Sequence, residues 1–300
     1  MRTILKPTNS TPTIPARTTH AGWGSGLLGI LIFSASLPAT RVAVAGFAPL
    51  FLTAARAAIA GLLGAGLLLA LRAPRPLRRD LGPLAIVGLG VVIGFPLLTA
   101  LALRHVTAAH SIVFLGLLPL ATAVFGVLRG GERPRPAFWL FSGLGGLAVA
   151  GFALAQGGAG SLAGDLSMLA AILRCGLGYA EGAALSRRLG GWQVISWALV
   201  LSLPVTLALA LATLPEAWDV GWPAWAALAY VSVFSMLVGF VFWYRGLALG
   251  GIAGVGQLQL LQPFLGLALA GLLLHEPVAP GMLLATAVVV LCVAGAKRHA

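Results

Sequence analysis

The 300-residue sequence predicts an all-α polytopic membrane protein, with ten transmembrane helices built as two inverted five-helix repeats. Three observations predict it. The chain is 59% hydrophobic and only 9% charged, with a mean hydropathy of +1.00. A soluble domain carries about 25% charged residues, so too little polar surface exists here to coat a globule. Apolar stretches near the ~20 residues needed to cross a bilayer recur ten times. Finally, the second half of the chain repeats features of the first at an offset of 144 residues.

The elements follow in order. Residues 1–21, rich in Thr and Pro and without an apolar period, read as a disordered cytoplasmic tail. The first apolar run covers 22–38. The small residues after it (Ser34 to Ser36) would also suit a cleaved signal peptide, but cleavage would break the repeat. Further runs cover 49–70, 82–103, 107–129, 135–155, 164–186, 194–214, 223–244, 252–274 and 279–296. Gly, Pro or charge marks most breaks, as in RAPRPLRRDLGP, RGGERPRP, LPEAWDVGWP and LHEPVAP. The runs around 101–110 are separated only by Arg104, His105 and Thr107.

The net charge of +12 is distributed as a topology signal rather than as a nucleic-acid stripe. Fifteen of the nineteen Lys and Arg fall in the tail, on alternate loops and at the C-terminus. Arg41 and Arg104 lie on the opposite side, and Arg56 and Arg174 lie within spans. This asymmetry orients both termini in the cytoplasm and favours an even number of spans. Cys175 and Cys292 sit in apolar stretches, where a thiol behaves as a small hydrophobe, so no disulfide framework is expected.

The 144-residue shift lays Pro119 on Pro263, Glu132 on Glu276, Ala109 on Ala253 and Gly151 on Gly295 without a gap. The expected units are residues 22–156 and 160–296, each with five spans. An odd number of spans makes the two copies enter the membrane in opposite directions, the architecture of many secondary transporters.

The segments SLPATRVAV, FAPLFLTAARAAIAGLL, GDLSMLAAIL and the pair LLPLATAVFGVLRGGERP and LLQPFLGLALAGLLLHEP carry a family resemblance. The chain resembles the EamA group of the drug/metabolite transporter superfamily from about residue 22 to 296. The thirteen-residue spacing from Pro to Glu, present twice, is the most specific part. The resemblance implies a multi-pass protein of the bacterial inner (plasma) membrane that moves small metabolites by alternating access, without naming one substrate.

Ionisable groups inside spans are costly unless they face protein or water, which makes them site candidates. Arg56 could hold a carboxylate or phosphate bidentately, or lock two helices together; it matches the arginine of the EamA-like second helix. Glu181 could load a proton or contact substrate, or form a static pair with Arg174, Arg187 or Arg188. Arg174, mid-span, departs from the EamA-like pattern and either specifies an anion or neutralises Glu181. Gln259 and Gln262 share a helix face before Pro263 and are read as substrate ligands or interhelical glue. Tyr179, with Trp197, Trp243 and Tyr244, could build an aromatic wall. Arg41 is a gate or interface anchor, and Pro119 and Pro263 are hinge candidates or simple kinks. His110 reads as a packed histidine with a satisfied ring nitrogen, and Glu132 and Glu276 as capping or loop residues.

Neither HExxH, GxxxxGK[ST], CxxC nor a pair of intramembrane carboxylates occurs, so catalytic residues, metal sites and cofactors are not expected. The expected function is secondary transport of an amino-acid-like or other small organic solute, in the efflux direction and coupled to protons. A channel or lipid scramblase, and then a membrane-embedded enzyme, are the alternatives. Expected partners are the small-molecule substrate, the lipid bilayer, protons and a second copy of the chain as a homodimer, but no nucleic acid.

Overall fold

The computed structural model describes residues 20–130, 135–155, 161–216, 219–250 and 256–298. The expected N-terminal tail lies outside the described residues as far as residue 19, and His20 already belongs to the first helix. Glu132, too, lies outside them.

Among the described residues the chain is helical, with no strand. The helices are α1 (His20–Ser34), α2 (Ser36–Gly46), α3 (Pro49–Ala70), α4 (Arg78–Val87), α5 (Phe95–Ala102), α6 (Ala108–Leu115) and α7 (Leu118–Gly130). They continue with α8 (Pro136–Ala155), α9 (Leu162–Leu189), α10 (Gly191–Ala212), α11 (Trp222–Tyr230), α12 (Gly239–Gly250), α13 (Gln262–Leu274) and α14 (Pro280–Lys297). Short π-helical segments, Gly88–Gly94 and Val231–Val238, join α4 to α5 and α11 to α12, and a 3-10 turn, Gly256–Leu261, leads into α13.

Seven of the resulting helical segments are long and apolar enough to cross a membrane: His20–Gly46, Pro49–Ala70, Arg78–Ala102, Ala108–Leu128, Leu162–Leu189, Gly191–Ala212 and Trp222–Leu247. Three shorter apolar segments, Trp139–Ala148, Leu258–Leu274 and Pro280–Cys292, fall on the remaining expected runs. The first run extends further than residue 38. Pro38 sits in the first turn of α2, where its missing N–H costs little, and helix continues to Gly46, so Arg41, beyond the expected end of the run, is helical. At the tightest break, Thr107 caps α6 by accepting the His110 N–H at 3.1 Å, which ends one span and starts the next within five residues.

The 144-residue offset recurs in the elements themselves. Helices begin at Arg78 and Trp222, at Phe95 and Gly239, at Leu118 and Gln262, and at Pro136 and Pro280. The two π-helical segments also fall at equivalent places. Packing follows the same pairing: α3 lies along α10, α8 along α14, and α1 against α12 as α9 lies against α5. Close crossings need residues without side chains. A Cβ on Gly90 would lie 2.7 Å from the Arg174 carbonyl oxygen and 2.9 Å from Gly178 Cα, so the segment after α4 can touch the α9 backbone only with glycine there. Outward-facing leucines such as Leu69, Leu147, Leu211, Leu272 and Leu291 remain exposed, as an acyl-chain environment requires.

Candidate functional site

Helices from both halves of the chain line a cavity of about 30 Å³, room for a water molecule or two rather than for a metabolite. Its wall takes Phe33, Ser36 and Leu37 from α1 and α2, and Arg56 from α3. Val91, Phe95 and Pro96 come from the first π segment and α5, with Leu115 and Leu118 from α6 and α7. Cys175 and Tyr179 come from α9, Ser235, Met236 and Phe240 from the second π segment and α12, and Gln262 from the start of α13.

Several of these residues are repeat partners. Val91 and Ser235, Pro96 and Phe240, and Leu118 and Gln262 are each 144 residues apart, and all six line the cavity. The π-helical segments contribute Val91 on one side and Ser235 and Met236 on the other. A π turn widens a helix locally and re-aims its side chains, a geometry frequent at functional sites. The chemistry of the partners differs, since Ser235 and Gln262 stand where the first half has Val91 and Leu118. The scaffold repeats while its polarity does not.

Arg56 supplies the charge. It is 4% exposed, its Nη2 donates to Ser235 Oγ at 3.2 Å, and its Nε is buried without a partner among the described residues. Ser235 Oγ also shares a 2.7 Å hydrogen bond with Ser36 Oγ, so Arg56, Ser235 and Ser36 form one polar cluster drawn from three separate elements. Opposite in character is an aromatic group. Phe240 packs against Phe33 at 4.9 Å, Tyr244 at 5.4 Å and Tyr179 at 5.8 Å between ring centroids, and Tyr179 lies 6.3 Å from Trp243.

Polar bridges lie at both ends of α9. At its start, Glu276 accepts the N–H groups of Ala108 at 3.1 Å and Ala109 at 2.8 Å, placing a carboxylate on the positive end of α6. Arg41 stands 4.0 Å from Glu276 through Nε and donates through Nη1 to the Leu103 carbonyl. Beside them His110 Nε2 meets Asp165 Oδ1 at 2.6 Å, the ring also packing on Phe114 and Phe152. At the far end of α9, Arg188 Nη2 lies 2.8 Å from Oδ1 of Asp80. Asp80 itself is 1% exposed and accepts the Leu77 N–H at 3.2 Å. The Glu276 bonds, the Arg41–Glu276 and Arg188–Asp80 pairs and the His110–Asp165 bond each join a residue before position 130 to one after position 161.

The residues singled out from sequence are thus divided. Arg56, Tyr179 and Gln262 come together on the cavity. Gln259 is buried nearby in the 3-10 turn with its amide nitrogen unpartnered among the described residues. Glu181 is buried but does not line the cavity, and Arg174 is exposed, its stem against Gly94. The two lie on one helix in different surroundings. Pro119 and Pro263 each occupy the second position of a helix that follows a break, at Gly116–Leu117 and Gly256–Leu261. Trp243 and Tyr244 join the aromatic group, whereas Trp197 is partly buried elsewhere against the core. Sequence reasoning missed Ser36, Ser235 and Cys175 as lining residues, and Asp165 and Asp80 as bridge partners. Ser235 was within reach of the 144-residue shift, which sets it opposite Val91; the others carry no local signal.

Comparison with known proteins agrees with this architecture. The model of the EamA-like transporter family matches the chain twice, over residues 21–154 and 162–296. The uncharacterized transporter YdeK of Bacillus subtilis (strain 168) is 67% identical over 283 residues, covering 94% of this chain and 99% of YdeK. A solved structure described as "Crystal structure of protein" superposes with a TM-score of 0.62 at 22% identity, covering 92% of this chain and 96% of the other, and shares the fold. A helical membrane scaffold with an internal repeat, matched twice by one family, makes this chain a member of the EamA-like transporter family, a transporter rather than an enzyme.

Proposed function

We propose that the protein is a secondary transporter of the bacterial inner membrane, with ten spans in two inverted five-helix repeats, working by alternating access around the cavity at Arg56. The observation that carries the reading is the cavity itself: equivalent residues of both repeats line it, and polar bridges elsewhere join the first half of the chain to the second. Inverted halves that rock about a shared site would break one set of bridges while keeping the other. With the charge asymmetry of the loops, the Arg41–Glu276 end is periplasmic and the Asp80–Arg188 end cytoplasmic, and both termini are cytoplasmic. The units are residues 22–156 and 160–296. A cavity of about 30 Å³ is then an occluded state, and substrate entry requires one end to open.

A carrier is favoured over a channel because the cavity of about 30 Å³ is no continuous pore. Efflux and proton coupling belong to the same proposal, and the His110–Asp165 hydrogen bond is one of the contacts that join the halves. The test is counterflow in proteoliposomes loaded with one unlabelled solute, across amino acids, other organic acids, nucleosides, sugar phosphates and organic cations. Transient uptake of label that saturates is expected. Non-saturating, ungated flux would replace the carrier by a channel.

A further inference from the structure

We infer that the central cavity recognises a small monocarboxylate with an apolar or aromatic body, its carboxylate held by Arg56. This rests on the transporter reading above and names the substrate class of the same cavity.

The inference starts from a charge without a counter-charge. Removing a guanidinium from water costs several kcal/mol unless an anion and hydrogen bonds replace the lost hydration. Arg56 has one hydrogen bond, to the neutral Ser235 hydroxyl, and an unpartnered Nε; among the described residues no carboxylate lies within 4.0 Å of it. Arg56 is also the single charged residue of the fifteen that line the cavity. The repeat does not duplicate it. At the 144-residue offset its equivalent on α10 is Val200, an uncharged, partly buried residue.

One fixed positive charge in a small, weakly polar space selects by arithmetic. A cation is repelled, a neutral solute leaves Arg56 uncompensated, and a phosphate dianion brings one negative charge too many. A single carboxylate neutralises the site, and its two oxygens match the planar fork of a guanidinium. The bond to Ser235, itself bonded to Ser36 at 2.7 Å, orients that fork. An amino acid would also bring an ammonium group, for which the lining offers neutral oxygens but no acid. The body of the ligand meets Phe33, Tyr179 and Phe240, whose rings pack edge to face within 4.9–5.8 Å. Polar head and apolar wall together describe an amphipathic monoanion.

The test is binding to the full-length protein in nanodiscs, read as ligand-dependent thermal stabilisation. The probes are benzoate, 3-phenylpropanoate and 4-methylpentanoate, against benzylamine, benzyl alcohol and inorganic phosphate. The carboxylates are expected to bind at least about tenfold more tightly than the amine, the alcohol or phosphate, the scale of one charge-assisted interaction. Arg56→Gln is expected to lose at least about tenfold of carboxylate affinity, and Arg56→Lys, which keeps the charge but not the fork, to fall between. Benzylamine or benzyl alcohol binding as tightly as benzoate, no carboxylate binding by folded protein, or unaltered benzoate affinity in folded Arg56→Gln would each overturn the inference. Should Arg56→Gln not fold, the probe series on the native protein and on Ser235→Ala decides. Failure of the parent reading looks different. Carboxylate binding without counterflow removes the transport mechanism and leaves the site, whereas counterflow confined to neutral or cationic solutes leaves the transporter and removes the carboxylate.

Discussion

Replacing Glu276 by Gln should open the Arg41 end of the cavity. In the closed structure the Glu276 carboxylate accepts two backbone N–H groups at the start of α6, at 3.1 and 2.8 Å, and faces Arg41 at 4.0 Å. A glutamine keeps the shape and one acceptor oxygen. It loses one charge-assisted bond, worth about 1.5–3 kcal/mol, and the attraction between carboxylate and helix end, about 0.3–1 kcal/mol. The Arg41 side chain is 39% exposed, so solvent screening leaves its share at the low end of about 0–1 kcal/mol. A loss near 2 kcal/mol shifts the closed-to-open equilibrium at that end by about thirtyfold. Cys175 reports the change because it lines the cavity and is only 1% exposed. With Cys292→Ser as background, an impermeant thiol reagent applied at the proposed periplasmic face should modify Cys175 about ten- to thirtyfold faster in Glu276→Gln. A rate within twofold of the parent, or an equal rise when the reagent acts from the cytoplasmic face, would refute the reasoning.

Other outcomes follow from the same contacts. Asp80→Asn weakens the 2.8 Å pair with Arg188 at the opposite end, so Cys175 should become more reactive from the cytoplasmic face and less so from the other; parallel changes on both faces would contradict two separate closures. His110→Ala removes the 2.6 Å bond to Asp165 and ring contacts with Phe114 and Phe152, and should lower stability by about 2–4 kcal/mol, measured as a fall in Tm in nanodiscs. An unchanged Tm would count against a joined pair. Gly90→Val inserts a side chain where a Cβ already comes within 2.7 Å of the α9 backbone, and folded yield should collapse relative to Gly66→Val, where nothing lies within 4 Å. Arg174→Ala, at an exposed position that does not line the cavity, should leave counterflow of the identified substrate within about twofold of native, while Arg56→Ala abolishes it.

Much of the fold was legible because the signals that set it are local. Apolar runs, and the Pro, Gly and charge between them, began at 135 and 279, one residue before the helix starts at Pro136 and Pro280, and the prolines at 119 and 263 marked the breaks before α7 and α13. Length was less legible. The first run continued eight residues past its expected end because Pro38 falls in a helix's first turn, where the chain tolerates it. The candidate site was legible where cost alone is informative: a buried arginine at position 56 is expensive wherever the helix turns, and so it marks the cavity. The same argument applied to Arg174 pointed inward, yet a Gly94 neighbour lets that side chain lie along the surface.

Composition, periodicity and spacing by themselves determined the helical membrane class, the apolar helix-forming runs and the 144-residue repeat, since each is a property of short stretches or of their order, and the family resemblance rested on short segments too. Tertiary structure alone decided which polar groups meet. Arg56 finds Ser235 179 residues away, Glu276 caps a helix that begins 168 residues earlier, and His110 pairs with Asp165 across 55. Those meetings depend on the rotation of each helix about its own axis, which close packing against several neighbours sets together. No single segment carries that information.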